Sequence, residues 1–422
     1  MLSVQEAEAK ILQMVQSLAE EGAQAHETVS LSAAQGRILA EDIVSGQDFP
    51  YWDHSAMDGY AVRAEDLQGC TTAQPISLQV VMEIPAGRAP TQALQTGQAA
   101  RIFTGSMMPE GTNAVIMQEQ AERIGDRVTF STCPEAQAWV RQKGDYYRAG
   151  QPLLKRGTCL QGVDLAILAS AQCAVVSVYR PVRVSVFSTG NELVPPGQPL
   201  QPGQITDSNQ LTLTALVQQT GAIAQPLGIV PDDRSSLKRA IASAIAEADV
   251  VISSGGVSVG DYDYVEEVLT ELGGTLHIQS VAVKPGKPLT VATFDHPKRD
   301  RPVLYFGLPG NPVSAPVGFW RFVQPALRKL SGLSQGWEAV FVRAKTLQDL
   351  RADGKRETYL WGQLFLNAEG IHEFELAGGI HSSGNLINLA QTNGLAVLQC
   401  DRPSVEVGDW VLVMQVGAVR LR

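Results

Sequence analysis

The stretch that decides the fold is Val182-Arg183-Val184-Ser185-Val186-Phe187-Ser188-Thr189-Gly190-Asn191-Glu192. Its apolar first part predicts a buried β-strand, and the polar residues that follow predict a turn at the strand end. Helices and strands then alternate, with helices predicted at Gln210–Gln219 and Arg234–Glu247 and strands at Ile223–Val230 and Val250–Ile252. Such alternation is typical of an α/β domain with a largely parallel sheet.

The same pattern continues to about residue 331. It predicts a strand at Leu276–Val283, a turn at Lys284–Pro288, a strand at Val303–Phe306 and a helix at Val313–Leu330. These elements complete a central, doubly wound α/β domain at residues 181–331, which is a usual domain size. Ligands of such sheets bind beyond the carboxyl ends of the strands, so the residues at those ends are the first candidates for a site.

The sequence before this domain predicts a helix-rich flank. Apolar residues stand at helical spacing within residues 3–20, and the stretches Leu31–Ile43 and Val163–Ser170 repeat that character. We therefore predict a first domain assembled from residues 1–45 and 149–180. A chain of 422 residues exceeds what one hydrophobic core usually serves, which also favours several domains.

Two regions predict β-rich domains. Short apolar pieces such as Ile76–Val81 and Ala114–Met117 alternate with Gly and Pro turns, which predicts a β-rich domain inserted at residues 46–148. After Gly332 the chain predicts a separate, barrel-like β domain at residues 332–422. Its predicted strands are Val340–Ala344, Leu395–Gln399 and Val411–Val416.

Composition excludes several classes of protein. The net charge is −10, which disfavours binding to nucleic acid phosphates or to membranes. No apolar run is long enough to cross a bilayer, and the acidic start lacks the features of a secretory signal, so we expect a cytoplasmic protein. Its five cysteines are scattered without a C-x-x-C pair, which predicts neither a disulfide framework nor a zinc site.

Acidic residues and glycines follow three of the predicted strands. Glu192 comes directly after the first strand, with Asp207 and Asn209 before the next helix, although helix capping explains Asp207 equally well. Asp232 and Asp233 end the second strand. The third strand leads into Ser253–Asp263, which combines glycines that let a phosphate approach the backbone with acids that can hold a hard cation. A nucleotide bound with Mg²⁺ requires this combination.

The same loop contains a competing motif. Gly256-Val257-Ser258-Val259-Gly260 matches the nucleophile elbow of serine hydrolases, and its strand-turn-helix context fits. The later histidine that such an enzyme needs would be His277, His296, His372 or His381, and none of them has a sequence context that marks a general base. No HGGG-type oxyanion motif is present either, so a serine hydrolase is the weaker interpretation.

Two further turns predict the binding of an anion. Lys284-Pro285-Gly286-Lys287-Pro288 holds two cations on a turn stiffened by two prolines, beyond a buried strand. Gly307–Ser314 leads into a helix whose first amides and Ser314 hydroxyl can receive an oxyanion. In the inserted domain, the polar turns at residues 50–61, 102–111 and 141–145 are weaker signals, because a structural turn explains each of them alone.

Taken in order, these segments resemble the molybdopterin molybdenumtransferases, whose eukaryotic relatives include the E domain of gephyrin. The matching segments are Gly36–Asp42, Ser55–Ala61, Thr104-Gly105, Ser188–Leu193, Ser253–Asp263, Lys284–Pro288 and Gly307–Ser314. The resemblance implies an elongated homodimer of four-domain subunits. It also implies that adenylylated molybdopterin and molybdate are bound, that the adenylate is hydrolysed, and that AMP and molybdenum cofactor are released.

The resemblance also implies roles for individual residues. Acids that match the Mg²⁺ site are Glu192, Asp232 and Asp263, and Asp58 and Asp145 match further catalytic positions. Positions matching the pterin nucleotide site are Thr104, Arg141, Gly190, Asp207, Asn209, Ser254, Gly255, Gly256 and Ser258. Positions matching the molybdate site are Lys284, Lys287, Pro288, Ser314, Arg356 and Ser383. In the implied dimer, the inserted domain reaches the partner's α/β domain. A contact with a pterin adenylyltransferase is also expected.

The chain departs from the family pattern at two places, and two other functions compete. Gly144-Asp145 stands where the family often has Gly-Glu-Asp, and Trp361-Gly362 where it often has Arg-Gly.

A pterin adenylyltransferase resembles the central domain alone, and the flanking domains argue against it. A gephyrin-like scaffold is the other alternative, although the chain has no long linker or extra partner domain.

Overall fold

The computed structural model describes residues 1–256, 264–296 and 299–422. These residues form two compact units. The larger unit consists of Met1–Glu41, Arg156–Ala169 and Cys173–Arg422, and the smaller one of Asp42–Lys155 and Ser170–Gln172. Whether each unit divides further, at the four boundaries expected from the sequence, stays a prediction.

A mixed six-stranded sheet forms the centre of the larger unit. In spatial order its strands are Ile223–Val230, Arg183–Thr189, Val250–Ser254, Arg299–Leu308, Pro288–His296 and Thr275–Ser280. The first four strands pair in parallel, so their carboxyl ends meet at one edge, and the last two are added antiparallel. Buried valines such as Val184 face one core, and Phe187, Val251 and Tyr305 face the other. The predicted doubly wound α/β domain is therefore confirmed.

The sheet differs from the prediction on its antiparallel side. The strand Pro288–His296 was missed, because the prolines of the preceding turn mask the apolar run that follows them. The strand predicted at Leu276–Val283 is wrong in its second part, since it ends at Ser280. Val283–Lys284 pairs instead with the C-terminal strand Glu357–Leu366, a long-range contact that local pattern does not encode.

Helices cover both faces of this sheet. They are Asn209–Gln219, Arg234–Glu247, Val265–Glu271, Ser314–Gly318 and Gln324–Leu330. The helix Arg234–Glu247 begins where predicted because the Asp233 carboxylate caps it, accepting a hydrogen bond from Ser236 N at 2.9 Å. The single helix predicted at Val313–Leu330 is interrupted by a π-helical turn at Phe319–Val323.

The flank of the larger unit contains fewer helices than predicted. Val4–Met14 is a helix with a capping box at Ser3, and Gly162–Ser170 is helical as expected. The helix predicted within Leu31–Ile43 is wrong, because only a 3-10 turn at Leu31–Ala33 forms there. Gly36 has a φ of +74°, and Leu39 lies in an extended segment bridged to Val178, so the apolar residues are buried without a helix.

The C-terminal strands close into a five-stranded barrel. In order around the barrel they are Glu357–Leu366, His372–Leu376, Val340–Thr346, Trp410–Gln415 and Gly394–Leu398, which pairs again with Glu357–Leu366. Leu364, Phe374 and Val413 are fully buried inside it. The predicted barrel-like β domain is thus confirmed, although its longest strand, Glu357–Leu366, was not anticipated.

The smaller unit is built on a second six-stranded sheet. Its strands, in spatial order, are Ala114–Met117, Gly59–Val62, Gln98–Ile102, Ile76–Ile84, Arg127–Phe130 and Ala121–Ile124. A Cβ on Gly59 would stand 1.9 Å from the Ile116 carbonyl oxygen, so only glycine permits this strand pairing next to Asp58. The predicted β-rich character is confirmed.

Several shorter elements complete the described chain. Two-stranded pairs join His26–Ser30 with Val175–Tyr179, Ile43–Val44 with Pro152–Leu154, His54–Ser55 with Val140–Arg141, Leu193–Val194 with Ile205–Thr206, and Leu350–Arg351 with Ser404–Val405. Within the described ranges, no helix has the length and apolar character needed to span a membrane.

Candidate active site

A cavity of about 1080 Å³ opens at the carboxyl ends of the parallel strands. Its walls come from the strand ends of the central sheet, from the turn at 284–288, from residues 309–314 after the strand Arg299–Leu308, and from residues 356–361 and 381–384 of the C-terminal region. The predicted site residues that line it are Gly190, Glu192, Asp207, Asn209, Asp232, Ser254, Gly255, Gly256, Lys284, Lys287, Pro288, Ser314, Arg356 and Ser383. The structure thus brings together residues that lie up to 193 positions apart, from Gly190 to Ser383.

Two carboxylates, Asp232 and Glu192, form what we call the acid edge of the cavity. Asp232 Oδ1 accepts a hydrogen bond from Thr189 Oγ1 at 3.2 Å, and its backbone amide donates to Asn191 Oδ1 at 3.2 Å. Burial raises the pKa of Asp232, the Thr189 hydrogen bond opposes this, and the negative charges of Glu192 and Asp233 add to the increase. Among the residues that the structure describes, Asp232 has no basic partner.

Two glycines bring the backbone close to the acid edge. Gly255 has a φ of +95°, and a Cβ there would stand 2.3 Å from the Thr189 carbonyl oxygen. At Gly256, with a φ of +65°, an added Cβ would lie 4.0 Å from Asp232 Oδ1. Because no side chain fits at Gly255, the backbone stays bare beside the acids, which suits a phosphate approaching with a cation.

Asp207 and Asn209 hold the strand ends together. Asp207, which is 4% exposed, accepts hydrogen bonds from Ser188 Oγ at 2.9 Å and from Gln210 N at 3.2 Å. Asn209 Nδ2 donates to Ser254 Oγ at 2.7 Å and to the Gly310 carbonyl at 2.8 Å. Since these polar atoms are already paired, they position the lining of the cavity, and the contact with Gln210 N is the helix-capping contact expected as the alternative for Asp207.

A second group of lining residues, which we call the anion corner, consists of Lys284, Lys287, Ser314, Arg356 and Ser383. Lys284 Nζ forms an ion pair with Asp353 Oδ2 at 3.0 Å, and Arg356 donates to the Val283 carbonyl at 3.2 Å. Lys287 is exposed, whereas Ser314 is buried at the start of its helix. The Ser383 carbonyl accepts a hydrogen bond from Val313 N at 3.1 Å, which ties the barrel loop to that helix.

Two aromatic residues of the wall were not predicted as site residues. The rings of Trp361 and His381 stack with centroids 4.5 Å apart. His381 Nε2 lies 2.6 Å from the Ala377 carbonyl, while His381 Nδ1 and Trp361 Nε1 are shielded from solvent and have no hydrogen-bond partner in the described part of the chain. Sequence had marked Trp361 only as a departure from the family pattern and His381 only as one possible hydrolase histidine.

The other described residues of the predicted site belong to the smaller unit. In the smaller unit, Asp58 Oδ1 accepts hydrogen bonds from the backbone amide and the hydroxyl of Thr104, both at 2.7 Å, and these contacts lower the pKa of Asp58. Asp145 accepts a hydrogen bond from Gln142 N at 2.8 Å, and Arg141 is exposed in a short strand pair. Ser258 and Asp263 lie outside the described residues, and with them the hydrolase motif.

The acid edge fits a hard cation that retains other ligands. Within the described ranges, no three His, Cys, Asp or Glu side chains converge as a complete metal site. Mg²⁺ is nevertheless held in many nucleotide sites by one or two carboxylates, with water and substrate phosphates supplying the other ligands. Asp232 and Glu192, which lack a basic partner within the described residues, match that donor set.

Comparison with known proteins covers nearly the whole chain. Three family models match in order: the MoeA N-terminal region (domain I and II) at residues 2–171, a probable molybdopterin binding domain at 185–329, and the MoeA C-terminal region (domain IV) at 343–416. The crystal structure of a molybdopterin biosynthesis MoeA protein from Pyrococcus horikoshii superposes with a TM-score of 0.84 at 31% identity, covering 99% of this chain and 100% of that one.

Two curated relatives carry the name molybdopterin molybdenumtransferase. The relative from Nostoc sp. is 56% identical over 390 residues, which are 92% of this chain and 88% of that protein. The relative from Haemophilus influenzae is 38% identical over 388 residues, covering 92% and 93% of the two chains. With these relatives, the three ordered family models and the shared fold, the chain belongs to the molybdopterin molybdenumtransferase family, transferases of molybdenum cofactor biosynthesis.

Proposed function

We propose that this enzyme inserts molybdate into adenylylated molybdopterin and hydrolyses the adenylate, releasing AMP and molybdenum cofactor in a Mg²⁺-dependent reaction. The observation that supports it best is the cavity itself. Its lining combines acids and bare glycine backbone with cations and hydroxyls. A phosphoanhydride and an oxyanion could therefore be bound next to each other, as a coupled reaction requires.

The acid edge is the proposed place of phosphoanhydride hydrolysis. Asp232 and Glu192 would hold Mg²⁺, together with Asp263, which lies outside the described residues. When bound, the ion would offset the negative charge that develops on the leaving oxygen as the phosphoanhydride is hydrolysed. Thr189 fixes the Asp232 carboxylate through its hydroxyl, and Gly255 keeps the space beside it free for the substrate.

The anion corner is the proposed place of molybdate binding. Molybdate is a small dianion, and ammonium, guanidinium and hydroxyl groups are its expected receptors. Lys287 is free to turn toward it, because its side chain is exposed. Arg356 is held by its hydrogen bond to the Val283 carbonyl, and Pro288 stiffens the turn that carries the lysines.

The proposal includes a homodimer in the cytoplasm. Asp58, Thr104, Arg141 and Asp145 match family site positions in the inserted domain, and we propose that Asp58 completes the site of the partner subunit. A pterin adenylyltransferase would deliver the substrate. Mixed dimers of an Asp58→Ala chain and an Asp232→Asn chain should recover part of the activity that each homodimer lacks. No recovery would separate Asp58 from the active site.

The decisive experiment is AMP release from adenylylated molybdopterin by the purified protein with Mg²⁺, with and without molybdate. Molybdate-stimulated release supports the proposed reaction. AMP release at the same rate with and without molybdate would indicate a hydrolase. ATP-dependent adenylylation of molybdopterin would indicate an adenylyltransferase. Omitting Mg²⁺ should stop AMP release, and retention of the full rate without Mg²⁺ would contradict the assignment of the acid edge.

A further inference from the structure

A buried hydrogen-bonded chain lies directly behind the anion corner. Arg321 Nε donates to the Tyr359 hydroxyl at 2.9 Å, and that hydroxyl donates to Glu357 Oε1 at 2.6 Å. At its other end, Arg321 forms a bidentate ion pair with Glu8 of the first helix, with one N–O distance of 2.8 Å. Tyr359 is 1% exposed and Arg321 4%, so this chain is shielded from water.

Glu357 is the critical member of this chain because of its position. It stands between Arg356 and Thr358. Both of these neighbours line the cavity, as does Tyr359, whereas Glu357 does not. Successive side chains of a strand point to opposite faces, so Glu357 and Tyr359 share the face turned away from Thr358. Here Val283–Lys284 pairs with Glu357 and Thr358, which places the Glu357 backbone beside the Lys284 turn.

A carboxylate at this position threatens the binding of a dianion. If Glu357 turned toward the cavity, it would neutralise Lys284 or Arg356 and repel molybdate. The Tyr359 hydroxyl holds the carboxylate on the other face, and Arg321 in turn fixes Tyr359. Burial raises the pKa of Tyr359 well above its ordinary value, so the hydroxyl keeps its proton and continues to donate.

The position of Arg321 in the backbone is also unusual. It lies in the π-helical turn Phe319–Val323, between two α-helical segments. Such turns are rare and are frequently found at functional sites, because they redirect a side chain at a cost in helix regularity. Here the turn presents the guanidinium to Tyr359 on one side and to Glu8 on the other.

We propose that Arg321 and Tyr359 are positioning residues that keep the Glu357 carboxylate away from the anion corner and so preserve its affinity for molybdate. The inference rests on the proposed function, because it takes the anion corner as the molybdate site. Arg321 does not line the cavity, and Tyr359 acts through its hydroxyl, which donates to Glu357. Their role is to decide the direction of one negative charge.

The test compares molybdate binding by calorimetry to the full-length protein and to three variants. Tyr359→Phe should weaken molybdate binding about tenfold, since one charge is released toward the dianion. Adding Glu357→Gln to Tyr359→Phe should restore affinity to within about twofold, because the charge is then gone. AMP binding, which reports on the acid edge, should not change. The matched control is Tyr305→Phe, another fully buried tyrosine, whose hydroxyl lies 2.6 Å from Ser253 Oγ.

Each outcome decides the inference. Unchanged molybdate affinity in Tyr359→Phe, even with a lower melting temperature, would mean that the hydrogen bonds between Arg321, Tyr359 and Glu357 serve stability alone. Equal losses of AMP and molybdate binding, or no recovery in the double variant, would also overturn it. If the unaltered protein binds no molybdate at all, the proposed function fails first and the inference fails with it.

Discussion

Two aspartates at opposite edges of the central sheet have contrasting surroundings. Asp249 precedes the strand Val250–Ser254 and is 0% exposed, and Arg180, Arg299 and Arg301 all pair with it. Burial alone would raise its pKa, but the Arg180 hydrogen bonds and the charges of Arg301 and Arg180 hold the pKa well below its usual range. Asp232 follows the strand Ile223–Val230, which the strand Arg183–Thr189 separates from Val250–Ser254. Asp232 is only partly buried, and its pKa is raised.

The difference separates a structural acid from a functional one. The charge of Asp249 is neutralised inside the protein, as expected where a carboxylate serves stability. Asp232 keeps its raised pKa because no described basic side chain pairs with it. A cation that arrives with the substrate would provide the missing partner, and perturbed carboxylates in a cavity are frequently functional.

The largest expected effect is on catalysis at Asp232. Asp232→Asn keeps the shape of the side chain but removes the charge that would hold Mg²⁺, so AMP release should fall by about a thousandfold. The control is Asp233→Asn, whose carboxylate caps the next helix and has a pKa of about 2. This variant should have a lower melting temperature but an unchanged rate of AMP release. Full activity in Asp232→Asn would erase the distinction between the two aspartates.

The second effect is on stability at Asp249. Asp249→Asn removes the buried carboxylate that pairs with all three arginines and leaves Glu21, which pairs with Arg180 and Arg301, as the remaining counter-charge. The free energy of unfolding should fall by about 3 kcal/mol. Denaturant unfolding of the apo protein measures it. Asp300→Asn, which changes an exposed acid between Arg299 and Arg301, serves as the control and should unfold like the original chain. An equally small change in both variants would show that the arginine cluster does not depend on Asp249.

A smaller effect is expected on the KM for molybdate when Lys287 is replaced. The same variant shows whether Lys287 serves the anion corner or balances the charge of Asp232. We expect Lys287→Ala to raise the KM for molybdate about tenfold, because one cation of the anion corner is lost. The Mg²⁺ dependence should stay the same. Lys238→Ala, which removes an exposed lysine paired with Glu271, is the control. A shift in Mg²⁺ dependence instead would mean that Lys287 balances the acid edge rather than binding the anion.

The smallest effect is on the pH dependence of stability. Because folding raises the pKa of Asp232, its ionisation costs stability; the cost is absent below the ordinary value of 3.8 and grows as pH rises through the folded-state pKa. At pH 7 without Mg²⁺, Asp232→Asn should therefore have a slightly higher melting temperature than the original chain. The two should melt alike below pH 3.8. A lower melting temperature of the variant at pH 7 would contradict the unpaired state of Asp232.

Sequence reasoning succeeded where signals were local and failed where contacts were distant. The helix Arg234–Glu247 was predicted with its bounds, because both its capping residue and its apolar periodicity are recognisable from residues close together in the sequence. The strand Glu357–Leu366 was missed because it is defined by partners on several sides of a closed barrel. Trp361 and His381 escaped notice as a pair, since their ring contact joins segments twenty residues apart.

The sequence by itself determined the alternation of strands and helices, the family, and the residue types that stand at each strand end. These follow from local periodicity and from short motifs, which chain neighbours alone can specify. Only the tertiary structure decided which of these residues meet. Asp207 caps the next helix, and Asp232 has no basic partner among the described residues. Neither could be read from the sequence, because such partners are brought together by folding.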